Sequence, residues 1–574
     1  MGTLVKKIKQ KRPYWYYVES ARIEGNPRII RQVYLGTAES VVNGLVAKNR
    51  PQPLKGTAMP FGLPGALWLA AQDSGIWDCL SAIWPQKGRK PSVAHYILLA
   101  AIHRICNPGP KTEVAQWYAG SVLQRAWHFR TERFTSQAFW DTFTSIDQDS
   151  PFPDDELTRA QMAITARWKE SSLITDSILA YDTTNFYTYI DSRNDRCSLA
   201  KRGKNKQKRS DLRQVGLACL VDGSSGLGLY HHAYPGNRSD MEQFAVSLPR
   251  ILSYLEHAGI RRENVTLVFD KGASDLVNIA QIEEAGIGWV APVSWSEVPT
   301  GMQNVKDKRM TGCSSKLPGF RVFSKTCNLW GANRLCVLSH SSTFEAEQMH
   351  SLMDSVAKAV AALRSLSREL ASTHTRPRVA KGIARRIGQI LSGQWLKKII
   401  LIDALVPSDN GLRWGLQFHV DNTAMLEIIQ RRMGRTVLAT NRGNWTAEQI
   451  LEAYHGQSRV EMEFRGVKAG VACEWGPMFH WTDGKIIIHA FYTMLGMSLL
   501  NWMRLKLRSE NVSLSREQMI HELEQMQEIA VVYPKEGKEK GPKPTARLIT
   551  HSSLDQRMLS RILGLDRLAP QAQG

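Results

Sequence analysis

A chain of 574 residues has room for about three to four domains and a large buried core. Its 43% hydrophobic and 22% charged composition is that of a folded protein, which excludes a disordered or fibrous one. Seventy-four Lys and Arg against fifty-three Asp and Glu leave a net charge of +21; because the basic residues fall in clusters, the leading partner class is a polyanion. The eight cysteines contain no Cys-x-x-Cys pair, which argues against a zinc module or a disulfide frame, and the basic N-terminus has no apolar run behind it to make a signal peptide.

Residues 1–57 open with Lys6, Lys7, Lys9, Lys11 and Arg12 and continue as two strand-like runs, 14–23 and 28–35, around Glu24-Gly25-Asn26-Pro27. A basic arm followed by a β-hairpin module is expected. Pro51, Pro53, Gly56 and Pro60 mark a linker. Over 58–170 the apolar spacing is helical, clearest at 66–73, 92–106, 112–119 and 156–169. Its position and basicity suit a DNA-binding domain, and Trp68, Trp77, Trp84, Trp117, Trp127 and Trp140 supply aromatics for a compact helical core.

Residues 171–295 change period. Strands are expected at 177–187, 214–221 and 227–234, then a helix at 241–258, a strand at 265–269, a helix at 273–285 and a strand at 287–292. Three antiparallel strands followed by alternating helix and strand is the order of a ribonuclease-H-like sheet, here its first part. Residues 296–435 read as a β-rich insertion, with strand pairs 320–323 with 334–338 and 399–405 with 411–419 and a long helix at 343–371. Between 364 and 398 nine basic residues stand against Glu369 alone, a second polyanion patch. The core resumes over 436–508: a last strand at 436–440, one helix opened by the capping box of Thr446 and Gln449 and running to residue 468, then an apolar helix at 486–503. That last segment has the length of a membrane span, but His489, Thr493, Ser498 and Asn501 interrupt it, so it is expected to lie buried on a sheet, with no membrane involved. Residues 509–574 form a C-terminal tail with a helix at 515–529, a Lys/Gly/Pro linker at 534–544 and a short terminal helix. The whole is a multidomain α+β chain.

The chemistry concentrates in three carboxylates. Asp182 and Asp270 each end a short apolar run that reads as a buried strand, where a carboxylate has no structural use. Glu461 lies on the helix, and Tyr454, Glu461 and Lys468 follow at intervals of seven, drifting only about 20° per step, so they share a face. On this helix alone, an exposed face with scattered charges is an equal alternative. Three carboxylates suffice to hold two divalent ions about 3.5–4 Å apart for in-line phosphoryl transfer. The loop from Lys201 to Arg209, with Lys204, Lys206 and Lys208 at its centre and Arg213 just beyond, is placed to grip a phosphate backbone; a solvated hairpin is its structural alternative. No Gly-x-Ser-x-Gly elbow occurs, which argues against a hydrolase triad.

These motifs resemble those of the DDE transposases of bacterial insertion sequences, specifically the insertion-sequence-4-like superfamily and its insertion sequence 1634 group. Tyr181-Asp182-Thr183-Thr184 is similar to the first catalytic motif, Pro235-Gly236-Asn237-Arg238-Ser239-Asp240 to the Gly-Asn-x-x-Asp turn, Phe269-Asp270-Lys271-Gly272 to the second catalytic motif, and Tyr454, Glu461 and Lys468 to the Tyr, Arg, Glu, Lys signature. Gln457 stands where that signature has Arg, with Arg459 or Arg465 as replacement cation. The resemblance implies metal-dependent cleavage at the ends of an insertion sequence and strand transfer into target DNA. It implies two Mg²⁺ ions, with Mn²⁺ as an alternative, on Asp182, Asp270 and Glu461, and phosphate contacts from Tyr454 and Lys468. Its expected partners are double-stranded DNA, as terminal inverted repeats and target, and a second copy in a homodimer on paired ends. The expected location is the bacterial cytoplasm, on the nucleoid when DNA is bound. A nuclease that cuts without joining and a non-catalytic DNA-binding descendant are the other classes.

Overall fold

The structure is a computed structural model and describes residues 2–9, 12–23, 26–37, 54–175, 177–191, 193–203, 209, 211–273, 276–372, 379–407, 413–468, 473, 475–476, 478–533, 545–550 and 553–570. The chain divides into two units, one of residues 1–61, 526–552 and 569–574, the other of 62–525 and 553–568.

The first unit contains two small antiparallel sheets. Strands β1 (Gly2–Lys9), β2 (Arg12–Ile23) and β3 (Asn26–Gly36) run in the order β1-β2-β3. The expected basic arm is therefore a strand, with Lys6 opposite Trp15 and Lys7 opposite Tyr14. Alternation explains it: Tyr16 and Val18 turn inward, the Tyr16 and Tyr34 rings meet at 5.2 Å, and the lysines of β1 add a third strand to the expected hairpin. The second sheet has the order β17-β16-β4, from β4 (Lys55–Pro60), β16 (Gln527–Val532) and β17 (Thr545–Ile549). It corrects two expectations, since the end of the supposed linker is a strand and the helix expected to reach residue 529 stops at Glu524. Ile529, Val531 and Val532 are β-branched, and on both sides of β16 a strand is available to satisfy the backbone.

The second unit is built on a mixed nine-stranded sheet of order β10-β11-β12-β15-β9-β8-β5-β6-β7. Its members are β5 (Ile178–Thr188), β6 (Arg213–Asp222), β7 (Gly228–Pro235), β8 (Thr266–Phe269), β9 (Gly288–Pro292), β10 (Thr311–Gly312), β11 (Phe320–Leu329), β12 (Ala332–Ser341) and β15 (Arg435–Thr440). Only β5 with β8 and β8 with β9 pair in parallel. Every residue of β8 and β9 is buried, as continuous apolar runs in a covered parallel sheet require. The first strand pair expected in the insertion instead extends this sheet, because β12 pairs with β15 from Leu335↔Thr440 to His340↔Arg435.

The helices of this unit include α1 (Gly62–Asp73), α2 (Val93–Cys106), α3 (Glu156–Glu170), α4 (Asp240–His257), α5 (Leu276–Glu284), α6 (Ser342–Ala371), α7 (Ala380–Ile390), α8 (Asn422–Arg432), α9 (Ala447–His455), α10 (Gln457–Lys468), α11 (Asp483–Ser509), α12 (Arg516–Glu524) and α13 (Leu554–Leu563). Helices α6, α7 and α8, with the hairpin of β13 (Ile400–Pro407) and β14 (Trp414–Val420), enclose a separate apolar core around Leu363, Ile383 and Ile399. Helix α11 is the one described helix long and apolar enough to cross a membrane, but 94% of its most apolar stretch is buried, against α1, α2 and β7.

Candidate active site

Strand register brings the two aspartates together. Tyr181 of β5 pairs with Phe269 of β8 in parallel, and Asp182 and Asp270 are the next residues along the two segments, so they stand at one level on neighbouring segments. Each carboxylate is fixed locally: Asp182 Oδ1 accepts from the Thr183 amide at 2.7 Å and Asp270 Oδ1 from the Lys271 amide at 2.7 Å. β5 continues as a paired strand past Asp182, whereas β8 ends at Phe269 and turns at once into a 3₁₀ segment.

The third carboxylate arrives on α10, which packs on β5 and β6. Thr446 caps the preceding helix reciprocally with Gln449, and Ile450, Leu451, Val460 and Phe464 form the buried face. The single helix expected here is interrupted at Gly456, which separates α9 from α10. A side chain at Gly456 would lie 2.9 Å from the Ala453 carbonyl of the preceding turn and in ordinary contact, 3.5 Å, with Gly223 Cα, so the joint is a place where a Cβ is crowded by backbone. Tyr454 therefore stands half-buried at the end of α9 while Glu461 is exposed on α10.

Electrostatics ties the parts into one site. Burial pushes the Asp182 carboxyl up to about 7, with the carboxylates of Asp270, Glu461 and Asp240 adding repulsion against the opposing Thr183 amide. The Tyr454 hydroxyl is also shifted upward, first by burial and then by Asp270, Glu461 and Asp182. Asp182 and Tyr454 thus both feel the carboxylates of Asp270 and Glu461. A cation suits such a donor set, because it relieves a buried carboxylate crowded by others of its charge. Among the described residues no three or more His, Cys, Asp or Glu side chains are gathered as a group that could hold a metal ion.

The cations expected to touch phosphate fall in different places. Lys468 is exposed, with Nζ 5.6 Å from the Phe186 ring centre. Phe186 lies four residues beyond Asp182 and stacks on Trp475 at 4.2 Å and 12°, and Arg104 holds the Trp475 carbonyl at 2.8 Å. Arg465 is exposed, whereas Gln457 is only 4% exposed. Gln457 is therefore a packing residue in this structure, and its position alone would not offer a cation to DNA. The side chain of Arg459 lies outside the described residues, as do Lys204, Lys206 and Lys208. At the foot of that loop Asp483 accepts from the Ser198 and Leu199 amides at 3.1 and 3.0 Å. Arg213, expected among the loop's basic residues, instead donates to the carbonyls of Ala200, Asp191, Asn194 and Cys197. Arg209 pairs with Asp211 at 2.7 Å. In the second basic patch Arg364, Arg368, Lys381, Arg385, Arg386, Lys397 and Lys398 are all exposed.

Sequence reasoning gave no site role to Asp240, whose Oδ1 accepts from Thr183 Oγ1 at 2.6 Å. Its signal was present in the Gly-Asn-x-x-Asp turn, but the sequence does not place that turn beside β5.

Compared with known proteins, the chain resembles a solved piggyBac transposase, a cryo-EM synaptic complex with hairpin DNA, at 8% identity and a TM-score of 0.35 over 84% of this chain and 73% of that one. A likeness at that level carries no argument. No curated protein matches. The model of the transposase DDE domain matches residues 174–472, just over half of the chain and the stretch that holds all three carboxylates. By that match the chain belongs to the DDE transposase family.

Proposed function

We propose that this protein cuts DNA at the ends of an insertion sequence and joins those ends to target DNA, from a ribonuclease-H-like core. The observation that supports the reading is the adjacency of Asp182 and Asp270 on neighbouring strands, with the Glu461 carboxylate acting on both Asp182 and Tyr454. These three carboxylates would hold two divalent ions, Mg²⁺ or Mn²⁺. When bound, such ions activate the attacking oxygen and stabilise the leaving one.

The chain's own residues do the rest. Asp182 is held on a paired strand and Asp270 at the end of its neighbour, which sets them side by side, and α10 packs on β5 with Glu461. Tyr454 closes one side of the site and Lys468 and Arg465 present cations to the DNA backbone, which sets register without reading sequence. Terminal repeats and target would lie along the exposed basic surfaces, the helical segment 58–170 would dock DNA, and a homodimer would hold two ends together in the bacterial cytoplasm.

The test uses the full chain, Mg²⁺ and a labelled DNA carrying the element's ends. Asp182→Asn, Asp270→Asn and Glu461→Gln, which keep size but remove charge, are each expected to lower cleavage by about 10³-fold or more while DNA affinity and the metal-free melting temperature hold. Wild-type cleavage by any of them would falsify the proposed metal site. Recovery of the label in a target plasmid separates a transposase from a nuclease that only cuts.

A further inference from the structure

Asp240 is the first residue of α4, yet it does not cap that helix. Ser239 and Glu242 do so reciprocally: the Glu242 amide donates to Ser239 Oγ at 3.3 Å and the Ser239 amide to Glu242 Oε2 at 3.0 Å. An acidic residue in the first turn is favoured by the helix dipole, so the carboxylate of Asp240 is held at little cost and is available for another contact. On one side it accepts from Thr183 Oγ1 at 2.6 Å. Thr183 in turn donates its amide to Asp182 Oδ1 at 2.7 Å. On the other side lies the loop that carries Asp270: a methyl group at Gly272 would stand 3.3 Å from Asp240 Oδ2 and 3.4 Å from its Cβ. One side chain thus bonds to the strand that carries Asp182 and lies beside the loop that carries Asp270.

We infer that Asp240 is a positioning residue, a strut that fixes the spacing of Asp182 and Asp270 through Thr183 and Gly272. The inference rests on the transposase reading above and adds a residue to it. The pairing of β5 with β8 runs to Tyr181↔Phe269, and the strut adds a side-chain link just beyond it, where β8 has given way to a 3₁₀ segment. What matters in this role is an acceptor at Oδ1 and the bulk of the side chain, and the negative charge is dispensable.

The experiment measures Mn²⁺ binding to the full chain by electron paramagnetic resonance, together with single-turnover cleavage, DNA affinity and melting. D240A is expected to weaken Mn²⁺ binding about tenfold and to slow cleavage about 10–100-fold, the order expected for a displacement of about 1 Å, with DNA affinity and melting held. D240N keeps an acceptor oxygen and is expected to restore both to within about threefold. Thr183→Val breaks the same hydrogen bond from its other end, so it should match D240A, and the double variant should be no worse than either.

D240N as impaired as D240A, or effects of D240A and Thr183→Val that multiply, would overturn the strut. If D240A does not fold, Thr183→Val against Thr183→Ser makes the same comparison, and equal Mn²⁺ binding by those two would overturn it as well. Asp182→Asn separates the levels. If it abolishes Mn²⁺ binding while D240A changes nothing, only the strut is lost; if it leaves binding and cleavage intact, the transposase site itself is lost.

Discussion

Lys111 sits in the interior with its Nζ 3.0 Å from the Tyr492 hydroxyl and 4.3 Å from the centre of that ring. Burial pushes its ammonium down to about 7, helped by repulsion from Arg104 and opposed by Cys473. The unfolded chain keeps that proton up to about 10.5, so between the two values the unfolded state binds more protons and stability rises with pH. Below 7 the penalty is fully present. The slope from this group is at most about 1.4 kcal/mol per pH unit. Lys111→Met should therefore melt higher than the wild type near pH 7, and the gap should narrow toward pH 9; parallel melting curves across that range would refute the assignment. Gln457 makes the opposite case. Only 4% exposed, with its Oε1 lacking a hydrogen-bond partner among the described residues, it should accept Met without loss, whereas Arg would bring a guanidinium into the same place and cost about 2 kcal/mol. Equal melting of the two variants would show that the site opens to water.

Gly456 shows how local backbone crowding can outweigh helix propensity. By propensity alone, Ala there should stabilise a helix by about 1 kcal/mol. Its methyl would instead meet the Ala453 carbonyl at 2.9 Å, so Gly456→Ala is expected to lower the melting temperature and, by shifting α10 over β5, to slow cleavage at saturating DNA. A raised melting temperature would contradict the packing account. The sequence showed α9 and α10 as one helix because periodicity carries through Ile450, Leu451, Val460 and Phe464, all of them buried, and a joint between two helices of one direction leaves the period intact. The aspartates were legible for a comparable reason, each ending an apolar run on a strand found nearly where expected. What could not be read was adjacency. Nothing local says that β8 lies between β5 and β9, that Asp240 returns to Thr183, or that β11 and β12 rejoin the main sheet. Strand β16 was missed because Gln527–Val532 follows a capped helix directly, and only two distant partners make it a strand.

Charge is a property of the entire chain, at +21, but its distribution decides what it does. The module of α6, α7 and α8 keeps its apolar residues inward around Ile383 and Ile387 and turns Lys381, Arg385 and Arg386 outward. If that face lies on DNA, log affinity falls with log salt at roughly −0.9 per phosphate contacted, and replacing these three by Ala should flatten the slope by about two to three units. An unchanged slope would mean that the module stays off the DNA. The sheet of β4, β16 and β17 has a consequence of another kind, in time. β4 is complete at residue 60, and its partner begins at residue 527. At about 5–20 residues per second, β4 waits on the order of half a minute to a minute and a half on the ribosome before its partner strand exists. A chain released early by a nonsense codon, a frameshift or proteolysis before β16 keeps Asp182, Asp270 and Glu461 but leaves β4 as a bare edge open to other chains. Closure of that sheet thus comes after the catalytic residues are made, and chains cut before residue 527 carry those residues together with a site for aggregation.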